Sequence, residues 1–183
     1  RAIQRTFRRQ MAILKAMADK YSAGGPSIIG EFGLPYDINK KRAYSTFKDK
    51  PITAWKSHTK ALSWYYDALD ANLLSSCQWN YNPGNRNERG DQWNLEDFSI
   101  FSRDQQTADW QEDINAGGRA IPGFCRPHFI TVAGAPLRME FSFRKGTFLF
   151  EFDADTSIDA PTILYIPKIQ YPNGFNINVT EGE

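Results

Sequence analysis

Glu31 is the one carboxylate in the stretch IIGEFGLPY, and glycines flank it on both sides. In an extended strand Ser27, Ile29, Glu31 and Gly33 share one face, and Ile28, Gly30 and Phe32 share the other. Two adjacent isoleucines at its start predict a strand covered on both faces, the habit of a parallel strand flanked by helices. A glutamate at the C-terminal end of such a strand points at the rim where α/β proteins bind ligands, and Gly30 and Gly33 leave room for close approach. Taken alone, a glutamate at a strand end is ordinarily a solvated or paired charge. A second segment changes that balance. Cys77-Gln78-Trp79-Asn80-Tyr81 ends another strand candidate and sets Trp79 and Tyr81 on a common face. If the two strands are neighbours, a carboxylate and an aromatic platform converge on one rim. Sugars present flat C–H faces that pack on tryptophan, and hydroxyls that need carboxylate and amide partners. The competing reading keeps Trp79 and Tyr81 as core aromatics.

The elements that must position these residues follow from periodicity. Ile3, Phe7, Leu14, Met17 and Tyr21 recur at helical spacing, and predict an amphipathic helix over residues 2–20 with Arg5, Arg8, Arg9 and Lys15 on a solvated face. Ala23-Gly24-Gly25-Pro26 stops it, and 27–33 is the first strand. Residues 36–52, with Lys40, Lys41, Lys48 and Lys50, read as a long surface loop. Leu62, Tyr65, Leu69 and Leu73 line one side of a second helix over 59–74. A second strand over 75–81 ends at the turn Asn82-Pro83-Gly84. Helix, strand, helix, strand in this order predicts an α/β fold with a parallel sheet. Residues 85–116 read as a long functional loop with a short helix after it, and 117–127 as the close of the last helix.

After Pro127 the pattern changes. Leu137, Met139, Phe141 and Phe143 alternate with polar residues, Lys145-Gly146 turns the chain, and Phe148, Phe150 and Phe152 alternate in turn. With strand candidates over 163–166 and 175–179, this predicts an antiparallel β-sandwich. The closing Thr180-Glu181-Gly182-Glu183 reads like the turn of an unfinished hairpin.

Bulk properties exclude more than they assign. The 183 residues are 41% hydrophobic and 23% charged, so a packed core is expected. A net charge of +1 gives no reason to expect nucleic acid, and no apolar run is long enough to span a bilayer. Cys77 and Cys125 make no disulfide framework and read as free, buried thiols. His58 and His128 are isolated and read as structural or surface residues. The acidic run from Asp153 to Asp159 lacks the glycine and the final bidentate glutamate of a calcium loop, so no metal is expected. Asn178-Val179-Thr180 is an N-glycosylation sequon of a kind common by chance. Neither an extracellular nor a cytoplasmic location is favoured, and the oligomeric state is open.

The ordered series of motifs resembles a known family. "IIGEFG", a helix, and then "CQWNYNP" look like the seventh and eighth strands of a family 5 glycoside hydrolase. The branch most similar contains endoglycoceramidases and glucosylceramide and steryl-glucoside β-glucosidases. "GEFGLPYDINKKRAY", "WNYNPGNRNERGDQWNLEDFSIFSRD" and "GGRAIPGFCRPH" carry the resemblance along nearly the whole chain. It implies that residues 1–126 are the C-terminal portion of a (β/α)₈ TIM barrel and that 127–183 are an appended antiparallel β-sandwich. It implies that Glu31 is the catalytic nucleophile, that Trp79 floors the site for the transferred glycosyl unit, and that Asn80, Tyr81, Asp91, Trp93 and Asn94 shape the glycone pocket. It implies no cofactor, and a carbohydrate or glycolipid substrate such as glucosylceramide or a steryl glucoside. Such enzymes retain anomeric configuration, using two carboxylates roughly 5–5.5 Å apart. The acid/base glutamate should sit in an Asn-Glu-Pro, and this chain has none; its one Asn-Glu pair, Asn87-Glu88, is followed by Arg89. The expectation is therefore a truncated chain carrying the nucleophile only, inactive by itself. A non-catalytic carbohydrate-binding module and a hydrolase of soluble β-glucan remain the alternatives.

Overall fold

The computed structural model describes residues 2–109 and 111–180, so the last three residues of the expected hairpin turn lie outside it. The chain divides into two compact units, Arg1–Phe124 and Cys125–Glu183. In the first, helix α1 (Ala2–Tyr21) leads to strand β1 (Ile28–Gly33). Helices α2 (Ile38–Asp49), α3 (Pro51–Ala54) and α4 (Lys56–Asp70) then lead to strand β2 (Ser75–Trp79). β1 and β2 are parallel neighbours, so this unit is an α/β arrangement.

Four local expectations change. Residues 36–52 are not a surface loop. Tyr36, Ala43 and Tyr44 are buried, and Trp55, Leu62 and Ala120 complete their cluster, with Leu34, Phe47 and Phe124 packed against it. The lysines masked this. Ala43, Tyr44 and Phe47 lie at helical spacing, and Lys40, Lys41, Lys48 and Lys50 on either side of them stay at the surface, as amphipathic helices allow. The helical path begins with Asn39, Lys40 and Lys41 in left-handed conformation, φ 56–58°.

On α1 the expected apolar stripe packs only at Phe7. Ile3, Leu14, Met17 and Tyr21 are exposed, while Phe7 stacks on Tyr65 of α4 with ring centroids 4.4 Å apart. Ile28 of β1 is 65% exposed although both faces of that strand were expected to be covered. The sheet has two strands, and among the described residues no layer covers that face. Finally, 117–127 is no helix. It is a run of turns and bends with one 3₁₀ turn, Ile121–Gly123, because Gly117 at φ 81° and Ala120 at φ 55° take left-handed conformations that interrupt a helix.

The second unit is antiparallel throughout. β3 (His128–Thr131) pairs with β6 (Ile163–Tyr165). β4 (Gly134–Ser142) and β5 (Thr147–Ala154) form a hairpin that sets Met139 opposite Phe150 and Phe141 opposite Phe148. The alternation predicted for β4 holds at buried Met139 and Phe141 but not at Leu137, which is 64% exposed. Pro136 faces Phe152 and Arg138 faces Glu151, so Leu137 is the extra residue of a bulge and leaves the inward register. Residues 175–179 form no strand, and Phe175, Ile177 and Val179 are exposed. β3 was not anticipated; its alternation is too short to register.

Candidate active site

β1 and β2 run in register from Ile28 opposite Ser75 to Gly33 opposite Trp79. Glu31 and Trp79 therefore both lie within the last three residues of adjacent parallel strands. The pairing slips in between. Ile29 faces Ser76 and Phe32 faces Gln78, so Gly30 and Glu31 together oppose Cys77. This bulge breaks the simple alternation by which Glu31 was expected to follow Ile29, and it re-aims the glutamate at the strand end. Glu31 is exposed. Cys77, across from it, is also exposed, and Cys125 is half-buried, so the two thiols are free but not buried.

Beyond β2 the chain folds back on itself. Asn80 donates its N–H to the Phe98 carbonyl (3.2 Å), and its own carbonyl accepts from Ile100 N–H (2.8 Å). The segment 97–101 thus lies alongside the exit of β2. It also touches the exit of β1, where Tyr36 N–H donates to the Asp97 carbonyl at 2.7 Å. A Cβ on Gly33 would lie 2.6 Å from the Trp79 carbonyl oxygen and 2.7 Å from the Phe98 ring, which shows how closely both strand ends and this segment approach.

The loop between is tied by Asp91. Its buried carboxylate accepts from Asn80 Nδ2 (3.0 Å), Trp93 N–H (3.0 Å) and Phe98 N–H (3.1 Å). Its carbonyl accepts from Asn82 Nδ2 at 2.8 Å. Asp91 is therefore held inside the loop rather than presented outward. Asn80, Asp91 and Trp93 are joined in one network, in which Asn80 Oδ1 is a buried acceptor with no donor among the described residues. Trp93 is 60% exposed and Tyr81 64%, the latter packing on Phe101 at 5.8 Å. Asn94 is exposed in left-handed conformation at φ 49°. Glu88 is solvent-exposed beside Arg89.

The feature that sequence reasoning missed is Arg119. It is fully buried. Its guanidinium donates to both carboxylate oxygens of Asp97, Nη1 to Oδ2 at 2.8 Å and Nη2 to Oδ1, and Nε donates to the Ser99 carbonyl at 3.0 Å. It stacks over the Tyr36 ring at 4.3 Å. Tyr44 donates its hydroxyl to Asp97 Oδ2, and Tyr36 donates its own to the Arg119 carbonyl at 3.2 Å. Burial pushes both tyrosine hydroxyls well above the usual phenol range, so they remain donors. Nothing local marks Arg119 in "GGRAIPG". The only signal is an arginine between glycines and an apolar turn, where a solvated side chain has little to do. His58 belongs to the same cluster, stacked on Tyr36 at 5.3 Å with planes 3° apart.

Residues 126–183 match the family profile described as the glycoside hydrolase family 5 C-terminal domain. Along 94% of its length the chain is 31% identical to a glucosylceramidase of Rhizopus delemar, of which it covers 26%. Over 44% of its length it is 38% identical to an ergosteryl-β-glucosidase of Saccharomyces cerevisiae. The solved structure of Cryptococcus neoformans sterylglucosidase 1 superposes with a TM-score of 0.76 at 29% identity, over 90% of this chain and 25% of that one. Endo-glycoceramidase II from Rhodococcus sp. is alike in fold alone, with a TM-score of 0.53 at 16% identity over 87% of this chain. The chain spans about a quarter of the length of the glucosylceramidase it matches.

Proposed function

From the premise that residues 126–183 are a glycoside hydrolase family 5 C-terminal domain, we propose that the chain is part of a retaining β-glycosidase acting on glycolipids. Its substrate is a β-glucoside with a lipid aglycone, glucosylceramide or a steryl glucoside, as the names of its relatives suggest. The α/β unit is then the last two strand-and-helix units of a TIM barrel, and the second unit part of a β-sandwich. The exposed apolar stripe of α1 and the exposed Ile28 fit burial by further barrel units.

Glu31 is the nucleophile in this reading. Its carboxylate attacks the anomeric carbon as the bond to the aglycone oxygen breaks, and a second carboxylate gives that oxygen its proton. Water, deprotonated by the second carboxylate, then displaces Glu31 and releases the sugar with retained configuration. We assign that second carboxylate to the part of the protein beyond these residues. Trp79 offers a flat face to the sugar ring, and Asn80 Oδ1 an unused acceptor for a hydroxyl. Asp91 orients Asn80 and the loop, and Trp93 and Tyr81 flank the opening.

The observation that carries the reading is the register of β1 on β2, with Glu31 and Trp79 at the C-terminal ends of neighbouring parallel strands, where barrel enzymes build their sites. In the full-length protein Glu31→Gln is expected to abolish hydrolysis of glucosylceramide, steryl glucoside and an aryl β-glucoside alike, with the circular dichroism spectrum unchanged. Turnover within about tenfold of wild type would sink the assignment, since losing a covalent nucleophile costs several orders of magnitude.

A further inference from the structure

We propose that Asp97 and Arg119 are a positioning pair that sets where Glu31 stands. The inference rests on Glu31 being the nucleophile. The segment 97–101 is bonded to both strand exits, through Tyr36 N–H to the Asp97 carbonyl and through Asn80 to Phe98 and Ile100. Arg119 N–H donates to the Ile100 carbonyl at 2.7 Å, and its guanidinium grips Asp97 and the Ser99 carbonyl. One buried residue therefore holds the segment along its length, by its side chain at Asp97 and Ser99 and by its main chain at Ile100. The Phe98 ring, held between them, packs against Gly33, two residues from Glu31.

A buried ion pair is weak evidence for stability, because desolvation offsets most of the attraction; its better-attested use is to specify one arrangement. Here the arrangement specified is the spacing of the two strand ends. A planar fork can meet a carboxylate and a carbonyl at once, which a lysine ammonium cannot do in the same plane. Loss of the grip frees the β1 exit to shift, and a misplacement of about 1 Å at a reacting group costs on the order of 100-fold in rate.

The test uses the full-length protein and a 2,4-dinitrophenyl β-glucoside, whose leaving group departs as the phenolate without needing a proton. Arg119→Lys is expected to lower kcat ~10- to 100-fold with KM changed less than ~3-fold. The decisive arm is a Glu31→Gly background supplied with azide. Azide attacks the anomeric carbon directly, expels dinitrophenolate and gives the glycosyl azide, so its rate does not depend on where β1 holds a carboxylate. Adding Arg119→Lys there should leave the azide-dependent rate within ~3-fold. An equal loss in both backgrounds, or an unchanged kcat in the Glu31 protein, overturns the proposal. If Arg119→Lys does not fold, Tyr44→Phe removes one donor to Asp97 and keeps the ring; it should lower kcat ~2- to 5-fold in the Glu31 protein only, and an unchanged kcat is equally fatal. Failure of the nucleophile reading is separate: Glu31→Gln would then stay active, whatever Arg119 does.

Discussion

His58 should make the first unit sensitive to mild acid. Its side chain is 3% exposed, packed flat on Tyr36 and edge-on against Trp55 at 5.3 Å. Burial lowers its pKa from the ordinary 6.5 to about 4, against a smaller opposing pull from the backbone of Tyr36, while the charges of Arg119 and Asp97 act in opposite senses. The unfolded chain takes up the proton first, so stability is present above pH 6.5 and lost as pH falls toward 4, where the loss levels off. Linkage over this interval gives a loss of about 1.8 kcal/mol between pH 7 and pH 5, and solvent penetration reduces that to about 1 kcal/mol. The assay is urea unfolding at both pH values, followed by tryptophan fluorescence, for the wild type and for His58→Phe, which keeps a flat ring. Carboxylates titrate alike in the two proteins, so the difference isolates His58. The wild type should lose about 1 kcal/mol more than the variant on going to pH 5. Equal losses, or an imidazole resonance of His58 that titrates near 6.5, would refute the reasoning.

Other substitutions probe the packing. Gly33→Ala forces a methyl group against the Trp79 carbonyl and the Phe98 ring; thermal unfolding should show a loss of about 1–3 kcal/mol, and the full-length enzyme a fall in kcat. Leu62, fully buried beside Gly123, should cost about 2–5 kcal/mol as Leu62→Ala, read from the urea midpoint. Leu137, expelled by its bulge, should tolerate Leu137→Ser within about 0.5 kcal/mol, although strand alternation alone assigns it to the core.

The two strand ends that matter could be read without coordinates. Apolar runs stopped by Gly and Pro marked β1 and β2, and the helical spacing between them implied a parallel pair, which the register bears out. The hairpin of β4 and β5 was equally legible from its phenylalanines. These are local patterns, with periods of two or about four residues, and the chain reveals them within a window of ten. The helical path through 38–54 was not legible, because lysines that stay at the surface of a helix look the same as lysines in a loop.

What tertiary structure alone decided is how the strand ends are held. The slip that makes Gly30 and Glu31 oppose one residue depends on β2, more than forty positions along the chain. Arg119 finds Asp97 22 residues away and Tyr36 83 residues away. Charged residues read one at a time look solvated, since water is their cheapest partner. Only a fold that removes the water and supplies carboxylate, carbonyl and aromatic face together makes burial favourable, and that supply is a property of the assembled neighbours rather than of any short stretch of sequence.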